Sequence, residues 1–346
     1  MNSETALALL QLMLDDLQSQ EEIYQPTAFW SQASTDISDA LRTHGLDSFR
    51  SLPAIRNFFA PSYGPPFNRL SVALVEEIIN NVASNEDQQS TLKHMLNGEM
   101  WALSDYRVMM ASNRPSDKLT LAPLSESKIG NPFEHFQFDS KWFSRSFLNY
   151  LLGLSFLKQH VDTSSIHRVI EVGGGFGSLG EILSQAGEYA YVDIDIPPTA
   201  AVSSYYLSHQ SNITLTPYSE TRNLDTIPFP EPGKQLVLCP WQLPQLQGSA
   251  DLFVNFISFQ EMEPHVVENY LHHVDRLQCR FILLRNLREG KQQKTEKTFG
   301  VETPTLSGDY DRFLPNYRLI ATNVNPFGFR TLDGFHSELR LYRRTE

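Results

Sequence analysis

Cysteine is nearly absent from this chain: Cys239 and Cys279 stand far apart with no CxxC pair, which excludes a disulfide framework and a zinc knuckle. Two buried thiols in a reducing compartment are expected instead. Long apolar runs are missing as well; none approaches the ~20 residues that span a bilayer, so no membrane partner is expected. Positive charge is in deficit, with 28 Lys plus Arg against 40 Asp plus Glu and a formal net charge of -12. A surface of that sign repels a polyanion, so nucleic acid is not an expected partner. The two dense basic stretches, Lys291 to Lys297 and Arg340 to Arg344, read as solvated edges. The first thirty residues hold Asp15, Asp16, Glu21 and Glu22 and neither a basic leader nor a small-residue cleavage site, so a cytoplasmic protein is expected.

Enough apolar material is present for a large buried interior: 41% of the 346 residues are hydrophobic and 11% aromatic. Ala6, Leu7, Leu9, Leu10, Met13, Leu14 and Leu17 recur at three- and four-residue spacing, an amphipathic helix. Docking of that helix on its own domain is favoured over a dimer face, and a homodimer is left open. A Pro-, Ser- and Gly-rich loop follows at Phe59 to Phe67, then a helix from Leu70 to about Ala83. An irregular segment from Leu121 to Phe138 marks a boundary. From Arg168 onward short β-branched runs alternate with helical stretches, the pattern of βαβ units and a mostly parallel sheet. Strands are expected at 168–172, 189–194, 235–239, 252–257 and 281–284, with a closing pair at 317–324 and 338–342. The organisation expected is a helical extension over 1–120, a lid loop and linking helix over 121–160, and a Rossmann-like catalytic domain over 161–346.

The run from Val169 to Gly180 is a strand entering five glycines within eight positions and then a helix. Such a turn lets backbone approach a ligand closely and offers a helix amino end to polar groups. Gly175, Gly177 and Gly180 also satisfy GxGxxG, the dinucleotide fingerprint. Glu171, two residues before the first glycine, decides between cofactors: a carboxylate there repels a pyrophosphate and attracts the ammonium and sulfonium of S-adenosylmethionine. A second acid is then needed about twenty residues on for the ribose. Asp193 and Asp195 supply it, with Asp195 favoured and the other acid read as a cap for the helix starting near Thr199.

The runs IEVGGGFGSLGEIL, VDIDIPPTAAVSSYYLS, CPWQL and DLFVNFISFQEM together resemble the sugar O-methyltransferases, a bacterial branch of the class I methyltransferases. The resemblance extends upstream to Phe29 and Trp30, to LDSFR at 46–50 and to GNP at 130–132. It implies a Rossmann-like class I methyltransferase fold, a seven-stranded mostly parallel sheet with a closing antiparallel hairpin behind a helical amino-terminal extension. It further implies S-adenosylmethionine as donor and methyl transfer to a hydroxyl of a small molecule, a sugar or a sugar-bearing metabolite. Glu171, Gly173, Gly175 and Gly177 match the cofactor loop and Asp195 the acid before the paired prolines. Pro240, Trp241 and Gln242 match the segment passing the adenine edge, with Trp241 equally a core residue. Asn255, Ser258, Gln260 and Glu261 follow the fourth core strand.

Methyl transfer needs alignment, exclusion of water and removal of the hydroxyl proton. Glu261, His135 and His336 are the candidate bases. His265, Glu268, His272 and Asp275 lie on the wet face of a helix whose buried stripe is Val266, Val267, Tyr270, Leu271 and Val274, so a metal reading of its histidines is rejected and no metal is assigned. N- or C-methylation of a biosynthetic intermediate is the same-fold alternative, and a catalytically dead cofactor binder another. An NAD-dependent oxidoreductase rests on GxGxxG alone and is opposed by Glu171.

Overall fold

The change of texture at Arg168 is where the central sheet begins. The structure, a computed structural model, describes residues 1–59, 70–114, 117–295 and 300–345. The sheet's strands are β1 (Arg168–Val172), β2 (Ala190–Ile194), β3 (Thr214–Thr216), β4 (Lys234–Leu238), β5 (Leu252–Phe256), β6 (Phe281–Leu287), β7 (Tyr317–Asn323) and β8 (His336–Arg344). Their order is β3-β4-β2-β1-β5-β6-β8-β7, and Phe329–Arg330 adds a short ninth strand against β8. All neighbours pair in parallel except β8, which runs antiparallel to β6, β7 and the ninth strand. Successive strands leave β1 in opposite directions, toward β2 on one side and β5 on the other, so a crevice opens at their carboxyl ends. This is the Rossmann-like class I methyltransferase fold, widened at its edges. The extra strand β3 is outside the strands expected because it is only three residues long, too short a run to stand out.

The strands alternate between two cores. Val169, Tyr191, Val237 and Val254 join one core, and Ile170, Val192, Leu236 and Phe253 the other. That is the two-residue period of a strand buried on both faces. Glu171 and Asp193 share the first parity, which aims both carboxyls away from solvent.

Helices fill the two faces. On the first lie α1 (Ser3–Leu17), α2 (Trp30–His44), α3 (Val72–Val82), α4 (Glu86–Leu96), α5 (Glu99–Ser112), α6 (Arg145–His160), α7 (Ser178–Ala186) and α8 (Pro197–Ser208), with α3 and α4 stacked outward on α5; α9 (Pro264–Arg276) covers the second. The Asn2 side chain caps α1 by accepting from Thr5 N–H at 2.8 Å. Its apolar stripe, Ala6, Leu9, Leu10 and Met13, is buried and packs on α8. Asp16 locks the contact by accepting from Arg222 Nε at 2.9 Å and from Tyr218 Oη at 2.8 Å. The stripe read from α9 matches the buried residues Val266, Val267, Tyr270, Leu271 and Val274, with His265 and His272 exposed. Most of the loop expected at Phe59 to Phe67 lies outside the described residues.

One expectation is corrected at the far edge. Arg340 is not on a solvated edge: β8 is interior, and the guanidinium is buried against Asp311 at 2.9 Å and Tyr342 Oη at 2.8 Å.

α6 is apolar all round, buried from Arg145 through Lys158. It lies against Phe256 at the end of β5, because Gly153 has no Cβ; one added there would sit 2.2 Å from the Phe256 ring. Alanine raises helix propensity by about 1 kcal/mol over glycine, whereas overpacking costs about 1–3 kcal/mol. Gly153→Ala is therefore expected to destabilise the protein, measured as a lower urea midpoint; an equal or higher midpoint would contradict the close approach.

Candidate functional site

β1 ends at Val172 and the chain turns through Gly173, Gly175 and Gly177, whose φ angles of 75°, 64° and 95° favour glycine. A Cβ on Gly173 would lie 2.1 Å from Ser258 Oγ and one on Gly174 2.3 Å from Asp193 Oδ1, while one on Gly175 meets nothing within 4 Å. Gly175 thus faces open space. That space is a cavity of about 470 Å³ at the carboxyl ends of β1, β2 and β5.

Three of the loop's amides are already engaged. Gly173 N–H donates to Ile194 O at 2.8 Å, Gly177 N–H to Gly174 O at 3.1 Å, and Gly175 N–H to Asp195 Oδ2 at 2.8 Å. The other oxygen of Asp195 accepts from Ile196 N–H at 2.8 Å and Thr199 Oγ at 2.6 Å. Asp195 thus ties the loop to the Thr199 hydroxyl at the start of α8 and lines the cavity at once. Burial pushes its carboxyl up to about 6, against the hydrogen bonds from Thr199, Gly175 and Ile196.

Glu171 and Asp193 sit behind the loop, opposite each other in register, and neither lines the cavity. Glu171 accepts from Tyr150 Oη at 2.8 Å and Tyr191 Oη at 2.5 Å; burial pushes its carboxyl up to about 8. Asp193 accepts from Ser203 Oγ at 2.5 Å, and burial and then the neighbouring Asp195 and Glu171 raise it far above the usual carboxylate range. Two expectations are corrected here. Glu171 does not face a ligand, because strand parity turns it inward under Gly174. Neither acid caps α8, whose N-cap is Ile196 with no side-chain capping bond; Asp193 is an interior partner of the helix through Ser203.

The opposite wall starts at Ile257, held at φ 76° where β5 ends. A β-branched residue there carries about 1–3 kcal/mol of backbone strain, and the turn brings Ser258, Gln260 and Glu261 to the cavity. Glu261 accepts from Trp30 Nε1 at 3.1 Å and from Lys291 Nζ, and its carbonyl accepts from Thr27 Oγ at 3.0 Å. Lys291 Nζ also lies 3.9 Å from the centre of the Phe29 ring. Phe29, Trp30, Asn57 and Phe58 close this side.

Of the expected residues, Gly173, Gly175, Asp195, Pro240, Ser258 and Glu261 line the cavity. Gln260 lines it too, whereas Trp241, Gln242, Asn255, Gly177, His135 and His336 lie elsewhere, and these expectations are corrected. Trp241 is buried with its ring edge-on to Tyr218. Gln242 accepts from Cys239 N–H and donates to Thr221 Oγ. Asn255 ties Val172 O, Ser258 Oγ, Phe259 N–H and Asn286 together. Gly177 shapes the loop from behind, against Leu207. His135 stacks on Trp142 at 4.9 Å, away from the cavity, and burial pulls its imidazole down to about 4. His336 pairs with Glu289 at 2.6 Å on the surface. The 121–138 segment contributes no lining residue.

Lys291, read as part of a solvated stretch, lines the cavity, as do Tyr150, Phe58 and Ser178, which the sequence reading missed. Only Phe29 and Trp30 carried a signal, as the FW pair within the resemblance. Among the described residues no group of three or more His, Cys, Asp or Glu could hold a metal ion, and no helix is long and apolar enough to cross a membrane.

No family model matches the chain, and no curated protein does. Among solved structures it is similar to magnesium protoporphyrin IX methyltransferase from Synechocystis PCC 6803 with bound SAM, at 15% identity over 57% of this chain and 81% of that one, TM-score 0.37. A SAM-dependent methyltransferase from Leishmania major matches at 11% identity over 58% and 73%, TM-score 0.40. A glycopeptide N-methyltransferase complexed with SAM matches at 12% over 56% and 86%, TM-score 0.36.

A carboxyl raised by folding binds its proton more tightly in the native state than in the unfolded one. Glu171's contribution to stability is therefore full below about 4.5 and lost as pH rises through about 8. The slope from this group is at most about 1.4 kcal/mol per pH unit. Glu171→Gln should flatten the fall in stability between pH 5 and 8 in urea unfolding of the ligand-free protein; an unaltered slope would place the titration elsewhere.

Proposed function

We propose that the protein is an S-adenosylmethionine-dependent methyltransferase acting on a hydroxyl of a small molecule, with the sequence resemblance supporting a sugar-bearing acceptor. The observation that carries the donor is the engagement of Gly175 N–H by Asp195. A dinucleotide turn keeps such amides free for pyrophosphate. Here that amide donates to a carboxylate that itself faces the ligand space, with Glu171 and Asp193 behind it. Among the described residues the lining holds Asp195 and Glu261 against one cation, Lys291, already paired with Glu261. That balance suits a ligand bearing positive charge and repels a diphosphate.

The residues present fit the donor. Asp195 retains acceptor capacity toward ribose hydroxyls, the open face at Gly175 admits close backbone approach, and Pro240 and Ile196 flank the place for an adenine. Ser178 Oγ, buried and without a partner, adds a hydroxyl at the start of α7. S-adenosylmethionine supplies, when bound, a methyl on a sulfonium ready for in-line displacement. The chain then aligns an acceptor, excludes water behind Phe29, Trp30 and Phe58, and takes the hydroxyl proton at a Glu261 oxygen. His135 and His336 have no part in this, since neither reaches the cavity.

Asp195→Ala should weaken S-adenosylmethionine and S-adenosylhomocysteine at least tenfold in calorimetry, and Gly175→Arg should abolish both by filling the open face. Unchanged affinity in both variants would overturn the placement of the donor. Glu261→Gln should lower kcat by about 10²–10⁴; full activity would remove Glu261 as base.

A further inference from the structure

Much of the cavity lining is built from rings: Phe29, Trp30, Phe58, Tyr150 and Phe256 all face it. Trp30 lies between Phe29 (centroids 6.0 Å apart, 71° between planes) and Phe58 (5.6 Å, 45°), forming a corner contributed by the amino-terminal region. Tyr150 and Phe256, stacked at 5.1 Å, form the facing core wall. Among the polar groups lining the cavity are Asn57, Ser146, Gln260 and Glu261. Glu261 already accepts from Trp30 and Lys291, and Gln260 Oε1 accepts from Leu287 N–H at 2.8 Å.

We propose that the group held against these rings is an aromatic ring bearing the hydroxyl to be methylated, a phenol-class acceptor and not a bare sugar ring; this rests on the methyltransferase reading above. A bare sugar brings several further hydroxyls into the cavity, and each left unpaired weakens binding by roughly ten- to hundredfold. A planar ring instead stacks in the corner and asks for one polar contact, at its hydroxyl. The proton chemistry agrees. A phenolic hydroxyl, whose pKa is near 10 as in tyrosine, gives up its proton to a carboxylate more readily than an aliphatic alcohol does. Glu261 takes the phenolic proton while the oxygen's electron pair forms the O–CH3 bond and the donor's S–CH3 bond breaks. The products are an aryl methyl ether, S-adenosylhomocysteine and a protonated Glu261. Lys291 Nζ, over Phe29 and beside Glu261, stabilises the negative charge developing on that oxygen.

The test is calorimetric titration of the full-length protein, saturated with S-adenosylhomocysteine, with phenol, catechol, 2-naphthol, methyl glucoside and methyl rhamnoside. At least one aromatic should bind at least tenfold more tightly than either glycoside. Trp30→Ala and Phe58→Ala should each weaken it at least tenfold, Trp30→Phe should stay within threefold, and all three should keep S-adenosylhomocysteine affinity within twofold. Binding of a glycoside in preference to every aromatic, no binding of any aromatic, or indifference to both alanine variants would overturn the proposal while the donor site stands. Failure of S-adenosylhomocysteine itself to bind would overturn the donor assignment and this inference with it.

Discussion

The Asp195 carboxylate is the contact on which the site depends. One of its oxygens holds the glycine loop through Gly175 and the other accepts from Ile196 and Thr199 at the start of α8. Charge-assisted hydrogen bonds of this kind are about twice as strong as neutral ones. One side chain thereby fixes the loop, the helix and the sign of the cavity wall. The amides of Gly173, Gly175 and Gly177 are consumed in holding the loop's own shape, which leaves the open backbone face at Gly175 toward the cavity.

Behind that contact lies an interior that keeps two more carboxyls out of water. Glu171 and Asp193 cluster under Gly174, satisfied by Tyr150, Tyr191 and Ser203. Burial raises both, and their hydrogen bonds anchor α6 and α8 to the sheet. The cost of burying them is met by hydrogen bonds from those helices and from β2, which couples the packing of the amino-terminal half to the shape of the loop. The same half supplies Phe29, Trp30 and Phe58, and Glu261 is the hinge between core and cap through Trp30, Thr27 and Lys291.

Strand positions were legible because buried parallel strands are runs of β-branched and aromatic residues bounded by turn formers, and α1 and α9 because their stripes keep a helical period. The glycine loop and Asp195 were legible because only glycine tolerates those backbone angles, and Pro197 marks where the strand has stopped. What escaped was set by tertiary approach. Nothing local distinguishes Tyr150 within an all-apolar helix, or Lys291 within a run of polar residues. Glu171 was noticed but turned the wrong way, since a residue's face depends on strand parity relative to two cores. Trp241, Gln242 and Asn255 lie within a residue or three of the cavity in sequence, yet their side chains are spent on the turns that shape it.

The measurement that tests this account most directly is parallel calorimetric titration of the wild-type protein with S-adenosylmethionine, S-adenosylhomocysteine and NAD. Binding of the two adenosyl compounds without NAD is the result the Asp195-tethered loop predicts. Binding of NAD with neither adenosyl compound would contradict it, and would require the Gly175 amide to leave Asp195 for a phosphate.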